Sequence, residues 1–407
     1  MSWIVRGTGA FRRASAALFL AGFASFSLLH SVQPLLPVFA REFGVSPAES
    51  SLALSLSTGL LAVAILCGAA LSDGLGRRGL MFASMTSAGV LHIAAALSPS
   101  WHLLLLVRAL EGLVLGGVPA VAMAWLAEEI EPSGLGFAMG LYVAGTAFGG
   151  MTGRVGTALL AHEYGWRPAL AIVGACGLAA AGGFIALLPP SRRFTPRPGF
   201  DVGVHLRAWA GHLRAPALRA LFAIAFLAMG GFVTVYNYAG FRLQAPPYGL
   251  TQAELGWVFT IYIFGIAASY AAGSLTARFG GRRVLPAGLL LAAAGVALTL
   301  LPALSAVIAG VVLLTIGFFG AHAVASGQVG AIAAGDKGHA TSLYLLAYYS
   351  GSSVAGSAGG WFWARGGWSA VALFALGLFA LALVASLRLA GARAADTALK
   401  RPPVDLG

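Results

Sequence analysis

Arg108 and Glu111 are the residues whose types and spacing most clearly predict chemistry, because they lie three positions apart within an apolar stretch. Side chains at this spacing share one face of a helix and can form an ion pair. An ionisable group inside a bilayer costs at least about 2.5–3.5 kcal/mol on insertion scales, and it usually has a function. Burial favours the neutral form of a carboxyl group, whereas a nearby Arg favours its charged form. Two interpretations follow: Glu111 is a proton carrier with Arg108 as its state-dependent partner, or the two form a permanent ion pair.

Other polar side chains within the apolar stretches are candidates for the lining of a central cavity. Tyrosines, with an apolar ring and a polar hydroxyl, suit an amphipathic solute, although each one singly also fits helix packing. Arg154 can contact an anionic substrate, or its long side chain can extend toward the membrane surface. The candidate cavity residues are His30, Gln33, Arg154, Tyr236, Asn237, Tyr262, His322 and Tyr348.

The composition shows which solvent surrounds these residues. Charged residues make up 9% of the chain and apolar residues 59%, whereas a soluble domain has about 25% charged residues. Twelve apolar stretches reach the roughly 20 residues that a membrane crossing needs, the fourth at 102–127 and the last two at 339–364 and 367–391. Their length indicates helices rather than the strands of a barrel. We therefore predict an all-α membrane protein with twelve transmembrane helices in two pseudo-symmetric six-helix bundles.

A repeat and a polar linker divide the chain into halves. Residues 69–78 (AALSDGLGRR) are similar to residues 273–282 (GSLTARFGGR), 204 positions later. Residues 190–216 form the one substantial polar interruption, and residues 202–213 within it are predicted to form an amphipathic helix on the membrane surface. The predicted units are a bundle over 1–189, a cytoplasmic linker over 190–216, and a bundle over 217–407 that ends in a short cytoplasmic tail. Two similar membrane halves are typical of a secondary transporter.

The distribution of basic residues predicts the orientation in the membrane. If the N-terminus is cytoplasmic, 19 of the 25 Lys and Arg residues fall on the cytoplasmic side. This excess is the positive-inside pattern, and it predicts a multi-pass protein with both termini in the cytoplasm. The net charge of +12 then indicates contact with anionic lipid headgroups and not with nucleic acid.

Three motifs resemble those of the major facilitator superfamily, and the resemblance covers essentially the whole chain. Residues 69–78 resemble its Gly-x-Leu-Ala-Asp-Arg-x-Gly-Arg-Arg loop between helices two and three. Residues 108–117 (RALEGLVLGG) are similar to the Arg-x-x-Gln-Gly-x-Gly motif of proton-linked members, and residues 145–150 (GTAFGG) to the Gly-Pro-x-x-Gly-Gly motif of antiporters. The branch that the chain resembles most is the bacterial drug and sugar efflux permeases. Gly74 and Thr146 depart from the motifs, which have Arg and Pro there.

The resemblance implies roles for the loop and for two runs of small residues. The loop would be a conformational latch or a plain topology anchor: Asp73 would contact the opposite half in one state, Gly76 would permit a tight turn, and Arg77 and Arg78 would hold headgroups. Small residues at helical spacing allow close helix contact, either as static packing or as a seam that slides between the halves. These seam residues are Gly145, Gly149, Gly150, Gly356 and Gly360.

The function that the resemblance implies is export of a small amphipathic organic solute across a bacterial inner membrane, by proton antiport and alternating access. Proton-coupled uptake of a small metabolite is the first alternative, and a lipid flippase or a non-transporting membrane receptor is the second. Motifs for ATP binding, hydrolysis and metal binding are absent from the sequence. We expect no enzyme activity, cofactor or metal. We expect a monomer whose partners are the substrate, protons and membrane lipids.

Overall fold

The computed structural model describes residues 3–191, 193, 202–333 and 337–399, and for residues 68–75, 120, 202 and 390–399 it describes the backbone alone. The helices of the first half are α1 Gly9–His30, α2 Leu36–Phe43, α3 Pro47–Leu75, α4 Arg77–Ala96, α5 Trp101–Leu115, α6 Pro119–Glu129, α7 Pro132–Tyr164 and α8 Trp166–Leu187. A linker helix, α9 Val202–Arg214, follows. The second half contains α10 Pro216–Gln244, α11 Gln252–Val258, α12 Tyr262–Phe279, α13 Gly281–Leu298, α14 Leu304–Ile332 and α15 Lys337–Leu399.

These helices make twelve membrane crossings. Ten helical stretches among the described residues are long and apolar enough to cross a membrane. α5 and α6 together supply one further crossing, since each alone is shorter than a span. α15 supplies two crossings, because its backbone turns back at Gly366 and Gly367, where φ is −150° and 55°. The predicted all-α fold with twelve crossings is therefore confirmed.

The fourth crossing, predicted as continuous over 102–127, is broken in the structure at residues 116–118. Pro119 is the first residue of α6, and a proline has no N–H to donate to the carbonyl of Leu115 four residues earlier. Gly116 lies against α3, where an added Cβ would be 2.3 Å from the Cβ of Ala64. The break thus lies where this crossing packs closely on α3.

The turn before α4 is repeated before α13. Gly76 has φ 80° and ψ 138°, and Gly280 has φ 78° and ψ 144°. A residue with a Cβ rarely adopts a positive φ, so glycine suits both positions. The two glycines are 204 positions apart, as the repeated loop predicts.

The packing of the first helix in each half is repeated as well. On α7, Gly145 and Gly149 lie against α1, where an added Cβ would be 2.5 Å from the carbonyl oxygen of Phe19 and 2.1 Å from that of Phe23. Ser27 of α1 donates to the carbonyl of Gly149 at 2.9 Å.

In the second half the partners are α15 and α10. An added Cβ on Gly351 would lie 2.1 Å from the carbonyl oxygen of Phe226, and Thr234 donates to the carbonyl of Ala355 at 3.0 Å. Gly356 lies against Val233 and Asn237 of α10. The three seam residues of α7 therefore pack within one half, whereas Gly356 also faces Ser55 and Gly360 also contacts Ala48 of the other half.

The predicted amphipathic helix over 202–213 corresponds to α9. Trp209 donates from Nε1 to Ser342 Oγ at 3.3 Å, and this contact joins α9 to the start of α15. Leu206 and Leu213, which are seven positions apart and so lie on one side of α9, are exposed apolar side chains. An apolar face of this kind suits a helix that lies in the membrane interface.

The contact between α7 and α1 gives a direct test of the packing. Gly149→Ala adds a Cβ within 2.1 Å of a backbone oxygen, so we expect a loss of stability of about 1–3 kcal/mol. Gly140 of α7 is the matched control, because an added Cβ there has no neighbour within 4 Å. Gly140→Ala should leave the stability unchanged or raise it by up to about 1 kcal/mol. Thermal unfolding of both variants in one detergent makes the comparison, and equal unfolding temperatures would contradict the described packing.

Candidate functional site

Arg108 and Glu111 form an ion pair inside the first half. Both side chains are 0% exposed, and Arg108 Nη1 donates to Glu111 Oε2 at 2.6 Å. The other carboxylate oxygen, Oε1, lies 2.9 Å from Nδ1 of His92 on α4. His92 Nε2 in turn lies 3.2 Å from the hydroxyl of Ser31. We call Ser31, His92, Arg108 and Glu111 the buried ion cluster.

The end of α1 explains why an arginine lies here. The last carbonyls of a helix have no partner within the helix, and within a membrane no water replaces it. Arg108 donates to two of these carbonyls, from Nη1 to Leu28 at 3.3 Å and from Nη2 to Leu29 at 2.8 Å. Its Nε donates to the carbonyl of Ala53 on α3 at 3.1 Å. A cation at a helix C-terminus is also favoured by the helix dipole.

The hydrogen bonds of Ser31 allow the buried ion cluster two protonation states. The Ser31 hydroxyl has one hydrogen and two candidate acceptors, His92 Nε2 and the carbonyl of Leu28 at 3.0 Å. If it donates to His92, the imidazole is neutral and its Nδ1–H faces the Glu111 carboxylate. If it donates to Leu28, then Nε2 of His92 carries the hydrogen. Nδ1 then either carries a hydrogen as well, which adds one proton to the cluster, or accepts from Arg108 Nη1 at 3.4 Å. The contacts therefore accommodate an added proton.

A second polar group lies between the two halves. Gln33 Nε2 donates to Asn237 Oδ1 at 2.8 Å. Arg154 of α7 donates from Nε to Gln33 Oε1 at 2.5 Å and from Nη1 to the carbonyl of Gly150 at 2.7 Å. The guanidinium carbon of Arg154 is 4.5 Å from the ring centre of Tyr262 on α12. We call Gln33, Arg154, Asn237 and Tyr262 the interhalf cluster.

A row of aromatic rings extends from Tyr262 through the second half. Ring centres are 5.1 Å apart for Tyr236 and Tyr262, 5.6 Å for Tyr262 and Phe319, and 5.5 Å for Phe319 and Phe318. Beyond Phe318, the ring centres of His322 and Tyr348 are 4.6 Å apart, with the two rings tilted by 38°. The residues of this aromatic wall are Tyr236, Tyr262, Phe318, Phe319, His322 and Tyr348. A cavity of about 10 Å³ beside His322 and Tyr348 is roughly the size that one water needs.

The structure thus brings together most of the predicted cavity residues. Gln33 contacts both Asn237 and Arg154, and Arg154 lies over the ring of Tyr262. Tyr236, His322 and Tyr348 lie in the aromatic wall. His30 stacks on Phe26 with 5.8 Å between ring centres, one residue before Ser31 of the buried ion cluster. His92 and Ser31, the other two members of that cluster, are not predicted by the sequence.

The predicted latch loop makes contacts within the first half. Arg77 donates to Glu128 of α6 from Nε at 2.7 Å and from Nη2 at 2.5 Å. Arg78 donates from Nη2 to the carbonyl of Ile185 on α8 at 2.5 Å. The side chain of Asp73 lies outside the described residues. The latch role therefore remains a prediction.

Several contacts join the two halves at the end of the bundle remote from α9. Ser353 Oγ donates to the carbonyl of Ser55 at 2.7 Å, and Gln252 donates to the carbonyl of Pro34 at 2.8 Å. An added Cβ on Gly256 would lie 2.7 Å from the Cβ of Ala158. These contacts and the interhalf cluster hold that end of the bundle together.

Two membrane-spanning halves that meet around buried polar side chains are typical of membrane transporters, and this is the class that the fold and the site indicate. A sequence profile of the Major Facilitator Superfamily matches residues 16–247 and 243–405. The MFS-type transporter YybF of Bacillus subtilis (strain 168) is 44% identical over 91% of this chain and 92% of its own length. The inner membrane transport protein YnfM of Escherichia coli (strain K12) is 43% identical over 91% and 89%. The chain belongs to the Major Facilitator Superfamily.

More distant proteins share the fold over long stretches. A chloramphenicol resistance protein of Streptomyces lividans is 29% identical over 67% of both chains. The crystal structure of a bacterial homologue of the human lysosomal transporter Spinster, in an inward-facing and occupied conformation, superposes with a TM-score of 0.74. That match has 17% identity and covers 98% of this chain and all of the other.

The position of Arg108 gives a second testable prediction. Arg108→Lys keeps the charge but removes the fork that reaches three backbone carbonyls and Glu111, so we expect a loss of about 2–4 kcal/mol of stability. Arg167→Lys is the matched control, because Arg167 pairs with Glu42 at a site where both side chains are more than 40% exposed. That change should cost less than about 1 kcal/mol. Denaturation in detergent gives both values, and a similar small loss in the two variants would contradict the capping role of Arg108.

Proposed function

We propose that the protein exports a small amphipathic organic solute in exchange for protons, by alternating access, as a monomer in a bacterial inner membrane. In this proposal both termini and α9 are on the cytoplasmic side, where basic loops contact lipid headgroups. The observation that carries the proposal is that one short segment, residues 28–33, contacts both the buried ion cluster and the interhalf cluster. Leu28, Leu29 and Ser31 contact the first, and Gln33 contacts the second.

Alternating access requires that the contacts between the halves separate. The hydrogen bond between Gln33 and Asn237 and the one between Ser353 and Ser55 are within the set that must break. Both are hydrogen bonds of uncharged groups, each worth only about 0.5–1.5 kcal/mol net. A few such bonds and close helix contacts can hold one state without preventing the other.

Movement of residues 28–33 would change the proton site. If Gln33 moves with the opening halves, the carbonyls of Leu28 and Leu29 shift relative to Arg108. Any loss of contact between Arg108 and Glu111 leaves a carboxylate unpaired in an apolar interior, where a charge is costly. Uptake of a proton by Glu111 and His92 removes this cost. Proton binding is then coupled to the opening of the halves, because both go with a weaker ion pair between Arg108 and Glu111.

Two observations support export by a member of the drug and sugar efflux branch. One relative is a chloramphenicol resistance protein, and residues 145–150 resemble the antiporter motif. The aromatic wall offers apolar ring faces and hydroxyl groups, which suit an amphipathic solute.

Replacement of Glu111 tests proton coupling. Glu111→Gln keeps the shape and the contact with Arg108 but cannot exchange a proton. We expect solute-induced proton flux in everted vesicles to fall at least about tenfold, since the carrier is gone, while exchange of labelled solute continues. Glu163→Gln is the matched control at an exposed position and should behave as the wild type. A panel of toxic amphipathic compounds that includes chloramphenicol serves as substrate, with a pH dye as the readout.

The outcomes of this experiment distinguish the functions considered. Unchanged proton flux in Glu111→Gln would exclude Glu111 as the carrier. Accumulation of solute in right-side-out vesicles and resistance of a deletion strain would indicate uptake. An absence of proton flux with the whole panel in the wild type would favour a flippase or a receptor.

A disulfide across the halves tests alternating access. An ideal Cβ on Gly59 would lie 3.4 Å from the Cβ of Ser353, close to the roughly 3.5–4.5 Å found in disulfides. Gly59→Cys with Ser353→Cys should therefore crosslink under oxidation and stop transport, and reduction should restore it. Cys67 and Cys176 are free and exposed, so both are replaced by Ser in the background. Gly59→Cys alone is the control, and full transport by the crosslinked protein would contradict the proposal.

A further inference from the structure

Arg154 is a buried cation that has no carboxylate partner among the residues that the structure describes. Its side chain is 3% exposed, and its acceptors are the amide oxygen of Gln33 and the carbonyl of Gly150. Arg108, the other arginine deep in the first half, has Glu111 at 2.6 Å. An uncompensated charge in a low-dielectric interior is costly, which makes the site of Arg154 favourable for an anion.

The donors of Arg154 are only partly used. A guanidinium group has five N–H donors, and the two hydrogen bonds described above use one on Nε and one on Nη1. One hydrogen on Nη1 and both on Nη2 have no acceptor among the described residues. The Nη1 and Nη2 edge matches the two oxygens of a carboxylate, which Arg binds in a bidentate manner.

The rest of the interhalf cluster also has surplus donors. Arg154 only donates, so it fixes the orientation of the Gln33 amide, whose Nε2 then donates to Asn237 Oδ1. The chain of hydrogen bonds leaves Asn237 Nδ2 as a buried donor without a partner, on a residue that is 1% exposed. The cluster therefore has a positive charge and unpaired N–H groups on Arg154 and Asn237. A ligand that supplies only acceptors completes it.

The surroundings of Arg154 define the rest of the ligand. The guanidinium carbon lies 4.5 Å from the ring centre of Tyr262 and 5.8 Å from that of Phe259. From Tyr262 the aromatic wall runs on toward His322 and Tyr348. A single cation matches one negative charge, and flat ring faces match a flat apolar body.

We propose that Arg154 is the anion-binding centre of the transport site, and that the substrate is a small organic monoanion whose carboxylate binds Arg154 and whose aromatic body lies on the wall from Tyr262 to Tyr348. This inference rests on the proposed transport function for its biological meaning, but the binding itself requires neither protons nor transport. Arg154 would thus bind the substrate, in addition to its contact with Gln33 between the halves.

The test measures binding to the purified full chain in detergent. The probes are three carboxylates, 2-naphthoate, benzoate and phenylacetate, each with its neutral amide. Ligand-dependent unfolding temperatures give apparent Kd values, because a ligand that binds only the folded state stabilises it. We expect at least one acid to bind at least about tenfold more tightly than its amide, as a charge-assisted contact implies.

Two variants connect the preference to Arg154. Arg154→Gln removes the cation and should abolish the preference for acid over amide. Gln33→Glu places a carboxylate on Arg154 Nε, where the Gln33 oxygen now lies at 2.5 Å, and the Asn237 amide can rotate to donate to it. This variant should keep or raise the unfolding temperature without ligand and should also lose the preference, so a folding defect of Arg154→Gln does not obscure the result.

Equal binding of all three acids and their amides by the wild type would overturn the proposal, and so would a full preference in Gln33→Glu. If Arg154 only holds the halves together, the wild type should bind each acid and its amide equally. Because no gradient is present, a failure of proton-coupled export in vesicles leaves this measurement valid. A failure here leaves proton coupling at Glu111 unaffected.

Discussion

The break in the first membrane crossing sets the constraint on which both polar clusters depend. α1 ends at His30 and α2 begins at Leu36, so backbone carbonyls in the middle of an apolar bundle lose their helical partners. No water is available to them there, and a side chain must donate instead. Arg108 is long enough and has enough donors to reach Leu28, Leu29 and Ala53. Its charge is paired with the carboxylate of Glu111. The second oxygen of that carboxylate contacts Nδ1 of His92, and Ser31 contacts Nε2 of the same imidazole.

The same break places Gln33 at the interface between the halves. Residues 33–35 form a short 3-10 turn, and the side chain of Gln33 contacts both Arg154 and Asn237. A few residues of one irregular segment therefore contact the buried ion cluster on one side and the interhalf cluster on the other. Rigid helices on both sides make such a segment the natural place for a change of state, because irregular backbone can adopt two arrangements more easily than a packed helix.

Much of the fold follows from the sequence, and less of the site does. Hydropathy gave the twelve crossings, and the repeat around Gly76 and Gly280 gave the two halves. The break at 116–118 was missed because a hydropathy window averages over Gly116, Gly117 and Pro119, although their types indicate it. Spacing gave the pair of Arg108 and Glu111, since they share one helix. His92 was missed, because a single histidine in α4 has no local signal, and its partner comes from a helix that only the packing brings near.

The two halves share their packing but not their charge. α15 repeats the contacts of α7 with an offset of 206 positions, as Gly145 and Gly351 show. At that offset the counterpart of Arg154 is Gly360, which fits against Ala48. A solute bound at Arg154 would therefore contact a cation in the first half and no charged side chain at the equivalent position of the second. The two halves thus pack alike, but only one of them carries a charge at this position. That asymmetry would hold the solute in a single orientation during transport.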